Sequence, residues 1–284
     1  MGEWMDGYLA RLSEVRARNL SGGGNQYEAL QHGLGKRSAR ERISSVVDPG
    51  TFEEMGSLVT DTRKPFDGKK RASPSDGVVM GLGRIGGRTV ALYSLDFSVM
   101  SGSLGDQGAW KLVDLTKMAG QNGLPLIGMI DSAGERLSMK NGDSGFNGLG
   151  RLLKNTCLYS GIIPRITLLL GPCTGLVSLL PVLTDFVIMN EHAGFLWLGG
   201  DKKSEPAGTA EFHMEKSGQC DILASSDEDA IDSLKMLLGY LPGSCWEKPP
   251  PIETEDDPER REESLLDVMP DDPKYTYDIH EVIE

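Results

Sequence analysis

The chain has 284 residues, which is enough for one large domain or two small ones with a substantial core. Lysine and arginine number 29 against 42 acidic residues, so the formal net charge is −13. This balance argues against general nucleic-acid binding, although a local basic patch could still hold an anionic ligand. The 36 glycines predict many short elements in a turn-rich α/β protein.

Cysteine spacing and hydropathy indicate the compartment. The cysteines are far apart in the sequence and form no metal-ligand pattern with the histidines, so we expect reduced thiols and no bound metal. The N-terminus lacks an apolar signal core, and glycine and proline interrupt the apolar run at 166–183. We therefore expect a cytoplasmic protein without membrane insertion.

The N-terminal part begins with helical periodicity over residues 3–19, followed by a glycine-rich linker at 21–24 that we expect to be flexible. Ser38 is a plausible N-cap for a helix that ends near residues 48–50. The predicted helix at 3–19 carries one apolar face, formed by Trp4, Tyr8, Leu9 and Leu12.

From residue 76 onward, strands and helices alternate. A β-hairpin is predicted around Gly86 and Gly87. Further strands are predicted at 125–131, 165–171, 186–190 and 194–199, and helices at 105–122, 145–161 and 227–241. This order is typical of a mainly parallel, buried sheet. Residues 247–273 are rich in proline and acid, so we divide the chain into a helix and linker (1–24), an α/β domain (25–246) and a C-terminal strap (247–284).

Two glycine-containing turns follow apolar strands, at 131–136 and 171–176. Such turns can offer backbone N–H groups to an anion or a developing oxyanion, but ordinary βα turns have the same pattern. Lys36, Arg37, Arg40 and Arg42 form a basic segment, in which the first three are the densest cluster. It could hold phosphates or simply be a solvated helix face.

Several motifs occur in one order between residues 5 and 245. They are GKRSARERI at 35–43, DPGTFEE at 48–54, SDGVVMGLGRIGGRTV at 75–90, DFSVMSGSLGDQGAWK at 96–111, LPLIGMIDSAGER at 124–136, SGIIPRITLLLGPCTG at 160–175, PVLTDFVIM at 181–189 and the stretch 208–218. Together they resemble the N-terminal half of carboxyltransferase subunits of biotin-dependent acyl-CoA carboxylases and decarboxylases, of the propionyl-CoA carboxylase β type.

The resemblance implies a crotonase-like fold of ββα units and a single carboxyltransferase N-terminal domain. It also implies that this half binds acyl-CoA and stabilises the thioester enolate while carboxyl passes to or from biotin on a separate carrier protein. A dedicated protein base is then unnecessary, because the biotin nitrogen takes the α-proton. The implied partners are a C-terminal-half subunit, the biotin carboxyl carrier protein and biotin carboxylase, in a hetero-oligomer. This polypeptide alone is not expected to complete the transfer.

By the same resemblance, Gly175 and Leu176 match the oxyanion pair, and Ser132, Ala133 and Gly134 match a glycine-rich loop of the active site. The residues that match the lining of the CoA site are Lys36, Arg37, Arg40, Ser101, Gly102, Ser103 and Arg136.

The sequence also departs from the family pattern. Leu176 stands where glycine is usual, Ala133 and Glu135 replace glycine and alanine, and the 200–213 loop is short. These changes leave open three functions: a carboxylase component, a decarboxylase component, and a non-catalytic assembly subunit that retains the fold.

Overall fold

The computed structural model describes residues 3–61, 72–136, 147–199 and 207–283, apart from residues 252, 256 and 258. Residues 200–206 of the short 200–213 loop lie outside the described residues. The chain divides into two compact units, Met1–Pro250 and Pro251–Glu284.

The first unit contains eight α-helical segments and eight strands among its described residues. The helices are α1 (Glu3–Leu20), α2 (Asn25–Gly33), α3 (Ala39–Val46), α4 (Asp106–Asn122), α5 (Asn147–Leu158), α6 (Leu179–Val182), α7 (Ala210–Phe212) and α8 (Asp227–Tyr240). The strands are β1 (Glu53–Met55), β2 (Val78–Ile85), β3 (Arg88–Leu95), β4 (Leu126–Ser132), β5 (Arg165–Thr174), β6 (Phe186–Asn190), β7 (Phe195–Trp197) and β8 (Ile222–Ala224).

The strands form one sheet in the order β1-β2-β3-β4-β5-β6-β8, with β7 paired to β5. β1, β2 and β3 are antiparallel, and the remaining pairs are parallel. The predicted hairpin is confirmed, since Ile85 pairs with Arg88 across Gly86 and Gly87, which both have positive φ. The predicted mainly parallel sheet is likewise confirmed.

Helices cover both faces of the sheet, so the central strands β4 and β5 are almost entirely buried. On one face α4 and α5 contribute Leu112 and Leu152 to an apolar cluster. On the other face α3 and α8 contribute Ile43 and Leu234 to a second cluster. Alternate residues of β2, β3 and β6 point into one cluster or the other, which fixes the register of these strands.

The N-terminal region differs in part from the sequence-based expectation. Ser38 caps α3 as predicted, within a capping box completed by Glu41. The flexible linker at 21–24 stays a prediction. In this structure the Gly23 N–H donates to Ser98 Oγ at 2.9 Å, and a methyl group added to Gly23 would lie 2.0 Å from the Ser98 carbonyl oxygen. Helix α2 and the strands β1 and β8 are not predicted by the sequence patterns.

The second unit contains two short helices among its described residues, α9 (Leu265–Val268) and α10 (His280–Ile283). Its described side chains are almost all exposed. None of the helices in the described part of the chain is long and apolar enough to cross a membrane.

Candidate functional site

The two predicted oxyanion turns lie side by side. β4 and β5 are parallel neighbours, with Ser132 paired to Cys173, so the turns that follow them leave the same edge of the sheet. Gly134 has φ +107°, and a methyl group there would lie 2.9 Å from the Thr174 carbonyl oxygen. The close approach of the two turns therefore depends on glycine at this position.

Most N–H groups of the first turn are used within the fold. The Ala133 N–H donates to the Ser101 carbonyl at 3.0 Å, and the Gly134 N–H donates to Ser132 Oγ at 3.0 Å. The Arg136 N–H donates to the Leu104 carbonyl. Ser132 is fully buried and closes its own turn. Only the Glu135 N–H in this turn lacks an acceptor among the residues that the structure describes.

The second turn presents the N–H of Leu176. Gly175 has φ +59° and begins a 3₁₀ turn over Gly175–Ser178, which runs into α6. The Leu176 side chain is half-buried and packs against the apolar cluster of α4 and α5. Its N–H donates to Glu135 Oε2 at 2.8 Å. The donor that the sequence assigned to an oxyanion is thus bound to a carboxylate of the same chain.

A third loop, at 100–103, completes this edge. Met100 and Ser101 have φ of +51° and +58°, values that non-glycine residues rarely adopt and that are enriched at functional sites. A methyl group added to Gly102 would lie 2.1 Å from the Asp131 carbonyl oxygen, so this loop touches the first turn. Three of the predicted regions therefore converge on one edge of the sheet.

Arg136 holds these loops together from a nearly buried position. Its guanidinium donates to the Ser103 carbonyl at 2.7 Å and to Ser103 Oγ at 3.2 Å, and it pairs with Asp76. Burial raises the pKa of the Asp76 carboxyl, and the Arg136 charge opposes that shift. Its side chain is 6% exposed, so Arg136 ties loops together in this structure. Its predicted contact with CoA stays a prediction.

The basic segment is joined to buried acids. Lys36 Nζ lies 3.0 Å and 3.2 Å from the two carboxylate oxygens of Asp131, whose side chain is fully buried. Arg42 binds the same carboxylate at 3.1 Å, Asp227 at 3.3 Å and the Leu170 carbonyl at 2.8 Å. These contacts link α3 to β4, β5 and the start of α8. Lys36 therefore has a structural partner already.

Arg37 and Arg40 are more exposed but are also paired. Arg37 donates to Ser45 Oγ at 2.8 Å and pairs with Glu228, while Arg40 binds both carboxylate oxygens of Glu54. Both arginines line a cavity of about 560 Å³ between the N-terminal helices and the end of β3. A CoA phosphate in this cavity would have to share these guanidinium groups with the carboxylates.

One group of potential metal ligands occurs among the described residues. Glu28, His32 and Glu41 each place a ligand atom within 4.8 Å of the others. His32 Nε2 and Glu41 Oε2 are 2.9 Å apart, and this contact raises the pKa of His32 and lowers that of Glu41 to about 2. An exposed ion pair is sufficient to explain the arrangement.

Comparison with known proteins decides the family. The model of the carboxyl transferase domain matches residues 30–284. The chain belongs to the carboxyl transferase domain family. The carboxyltransferase subunit of propionyl-CoA carboxylase from Haloferax mediterranei is 36% identical over 289 residues, which cover 98% of this chain and 56% of that protein. The α subunit of methylmalonyl-CoA decarboxylase from Veillonella parvula is 34% identical, over 96% of this chain and 55% of that protein.

Solved structures agree with this assignment. The crystal structure of transcarboxylase 12S, described as a hexamer with methylmalonyl-coenzyme A and methylmalonic acid bound, has 33% identity and a TM-score of 0.85. The match covers 100% of this carboxyl transferase chain and 57% of that chain. The crotonase-like fold implied by the sequence resemblance is confirmed. The chain spans about half the length of the curated relatives it matches.

Two features of the site were missed from sequence. Asp131 was included only as the start of a turn, although it binds two cations of the basic segment. The sequence shows Glu135 as a departure from the family pattern but does not predict its bond to Leu176. An acidic residue near the end of a buried strand, in a chain with a distant basic run, is the signal that could have suggested the first.

Proposed function

We propose that this carboxyl transferase chain forms the acyl-CoA half of a biotin-dependent carboxyltransferase, in a cytoplasmic complex. The proposal is supported by the convergence of the turns at 132–136 and 175–176 at one edge of the sheet. There the Leu176 N–H meets the Glu135 side chain, and the Glu135 N–H lacks an acceptor among the described residues. The similar proteins include a propionyl-CoA carboxylase and a methylmalonyl-CoA decarboxylase, both named for an acyl-CoA.

In the proposed reaction the thioester oxygen accepts a hydrogen bond from the Leu176 N–H, and the Glu135 N–H is the second available donor. As the α-carbon loses a proton or a carboxyl group, the thioester oxygen gains negative charge, and fixed N–H donors stabilise it more strongly than the ground state. Carboxybiotin, when bound, would supply the carboxyl group that is transferred. The residues of this chain hold the acyl group in place beside it.

A partner half would complete the site. The matched relatives are nearly twice as long as the matched region, and several large apolar side chains are exposed on α1 and α2. They are Trp4, Tyr8, Leu9, Leu20, Tyr27 and Leu30. We propose that a carboxybiotin-binding half covers part of this surface and that the biotinylated carrier and biotin carboxylase serve the assembly.

The proposal is tested by reconstitution. The purified chain is assayed for transfer of the carboxyl group from methylmalonyl-CoA to free biotin, which yields propionyl-CoA and carboxybiotin, alone and with the copurified partner. We expect activity only when the partner is present. Exchange by the isolated chain would contradict the need for a second half, and copurification without a crotonase-like protein would contradict the proposed assembly.

A non-catalytic assembly role is the second candidate, favoured by the Glu135 carboxylate on Leu176. The arginines predicted to line the CoA site distinguish the catalytic function from the assembly function. Replacing Arg37 and Arg40 with glutamine weakens acyl-CoA binding and reduces its salt dependence if they contact phosphates. A non-catalytic assembly subunit would bind no acyl-CoA, either as the wild type or as the variant. Glu14→Gln, a change on the exposed side of α1, is the control.

A further inference from the structure

The carboxylate of Glu135 occupies the place where a ligand oxygen would meet the second turn. Its Oε2 accepts the Leu176 N–H at 2.8 Å. The same oxygen lies against Gly175, since a methyl group added there would be 2.3 Å from it. Even a single added carbon at residue 175 would collide with this carboxylate.

The backbone around Glu135 is held firmly. The Gly134 carbonyl accepts the Leu104 N–H at 2.9 Å, and the Arg136 N–H donates back to the Leu104 carbonyl at 2.9 Å. The Arg136 side chain is pinned by Ser103 and Asp76. Glu135 therefore projects from a fixed position toward the neighbouring turn, and only its side chain is able to move away.

Charge favours this contact. None of the described lysine, arginine or histidine side chains forms an ion pair with Glu135 within 4.0 Å. A carboxylate without a cation partner gains most from a backbone N–H, and such charge-assisted bonds are stronger than those to a neutral carbonyl. The neutral oxygen of a thioester is thus a weaker acceptor for Leu176 than the carboxylate already there.

We propose that Glu135 is an internal latch, a carboxylate that occupies the oxyanion position at Leu176 and must swing away before an acyl-CoA binds. This proposal rests on the proposed acyl-CoA function. If the latch is closed in about nine-tenths of the molecules, the apparent Kd for acyl-CoA is raised about tenfold. The latch disfavours most strongly those acyl-CoAs that carry a carboxylate next to the thioester, because like charges held close together repel.

The test measures propionyl-CoA and methylmalonyl-CoA binding by titration calorimetry to the full chain and to Glu135→Ala, Glu135→Gln and Glu14→Ala. Glu14 is an exposed glutamate on α1, so its replacement removes the same charge away from the turns. We expect Glu135→Ala to tighten the propionyl-CoA Kd about tenfold, or about 1.4 kcal/mol. Tightening should be greater for methylmalonyl-CoA, smaller in Glu135→Gln, and absent in Glu14→Ala.

A second readout needs no acyl-CoA. The ¹H–¹⁵N signal of the Leu176 amide should move upfield in Glu135→Ala, because the charged acceptor is gone, and stay in place in Glu14→Ala. Equal affinity of the wild type and Glu135→Ala for propionyl-CoA, or an unmoved Leu176 signal, overturns the latch alone. Absence of acyl-CoA binding in every variant overturns the proposed function, and the latch with it.

Discussion

Asp131 offers the sharpest test of the ionic network beneath the site. Its side chain is fully buried and faces Lys36, which is 15% exposed, and Arg42, which is 1% exposed. Asp131→Asn keeps the shape but removes the charge. Arg42 still has Asp227 and the Leu170 carbonyl, whereas Lys36 keeps, among the described residues, only the ring of Phe97, at 5.0 Å. Breaking a buried pair from one side costs about 3–5 kcal/mol, and we expect a loss near the lower end because the amide oxygen still accepts one hydrogen bond.

The measurement is the free energy of unfolding from urea titration followed by circular dichroism. Glu228→Gln is the matched control, because it removes one carboxylate from the Arg37 pair, in which Glu228 is 61% exposed. This control should lose about 0–1 kcal/mol. In a double-mutant cycle, Lys36→Met and Asp131→Asn should be coupled by more than about 1 kcal/mol. A loss in Asp131→Asn no larger than that of the control would refute the structural role of the network.

Three further predictions concern stability and titration. Gly171→Ala should destabilise the chain by about 1–3 kcal/mol, because the new methyl group would lie 2.1 Å from Asp131 Oδ1. The control is Gly239→Ala in α8, where an added methyl group meets nothing within 4 Å. This control should be neutral or stabilising in the same urea titration. Burial lowers the pKa of Lys111 from 10.5 to about 8, so the unfolded chain binds more protons between these values. The free energy of unfolding should therefore rise with pH across that window, and Lys111→Met should lack the rise. Glu41 raises the pKa of His32 above 6.5. The contribution of this pair to the free energy of unfolding is therefore complete below pH 6.5 and is lost as pH rises through the raised pKa. NMR titration should show a lower His32 pKa in Glu41→Gln, and an unchanged value would contradict the pairing.

Local patterns predicted most of the fold correctly. The glycines at 86 and 87, the Ser38 cap and the apolar period of α4 each determine structure over a few residues, so the hairpin and these helices could be placed from sequence. The short strand β1 and helix α2 were missed because their few residues carry little periodicity. The contact between Gly23 and Ser98 could not be predicted from local sequence, because the two residues are 75 positions apart.

The site was predicted only as far as its turns. Parallel strands that end at one edge bring Gly134 and Gly175 together, and the family resemblance pointed to both turns. The partners of the charged residues depend on tertiary distances. Lys36 binds Asp131, which is 95 residues away in the sequence. Glu135, which follows β4, accepts a hydrogen bond from Leu176, which follows β5. No local pattern contains such pairings, so the basic run could not be separated from a phosphate site by sequence.

Acyl-CoA binding is the central claim, and thermal unfolding tests it most directly. The full chain is heated with increasing propionyl-CoA, and with free CoA to separate the acyl contribution. At about 100 times its Kd a ligand adds roughly 2.7 kcal/mol to the free energy of unfolding. We predict a Tm that rises with propionyl-CoA concentration, and rises at lower concentrations in Glu135→Ala. An unchanged Tm in both proteins would contradict the assignment of this chain as an acyl-CoA-binding half.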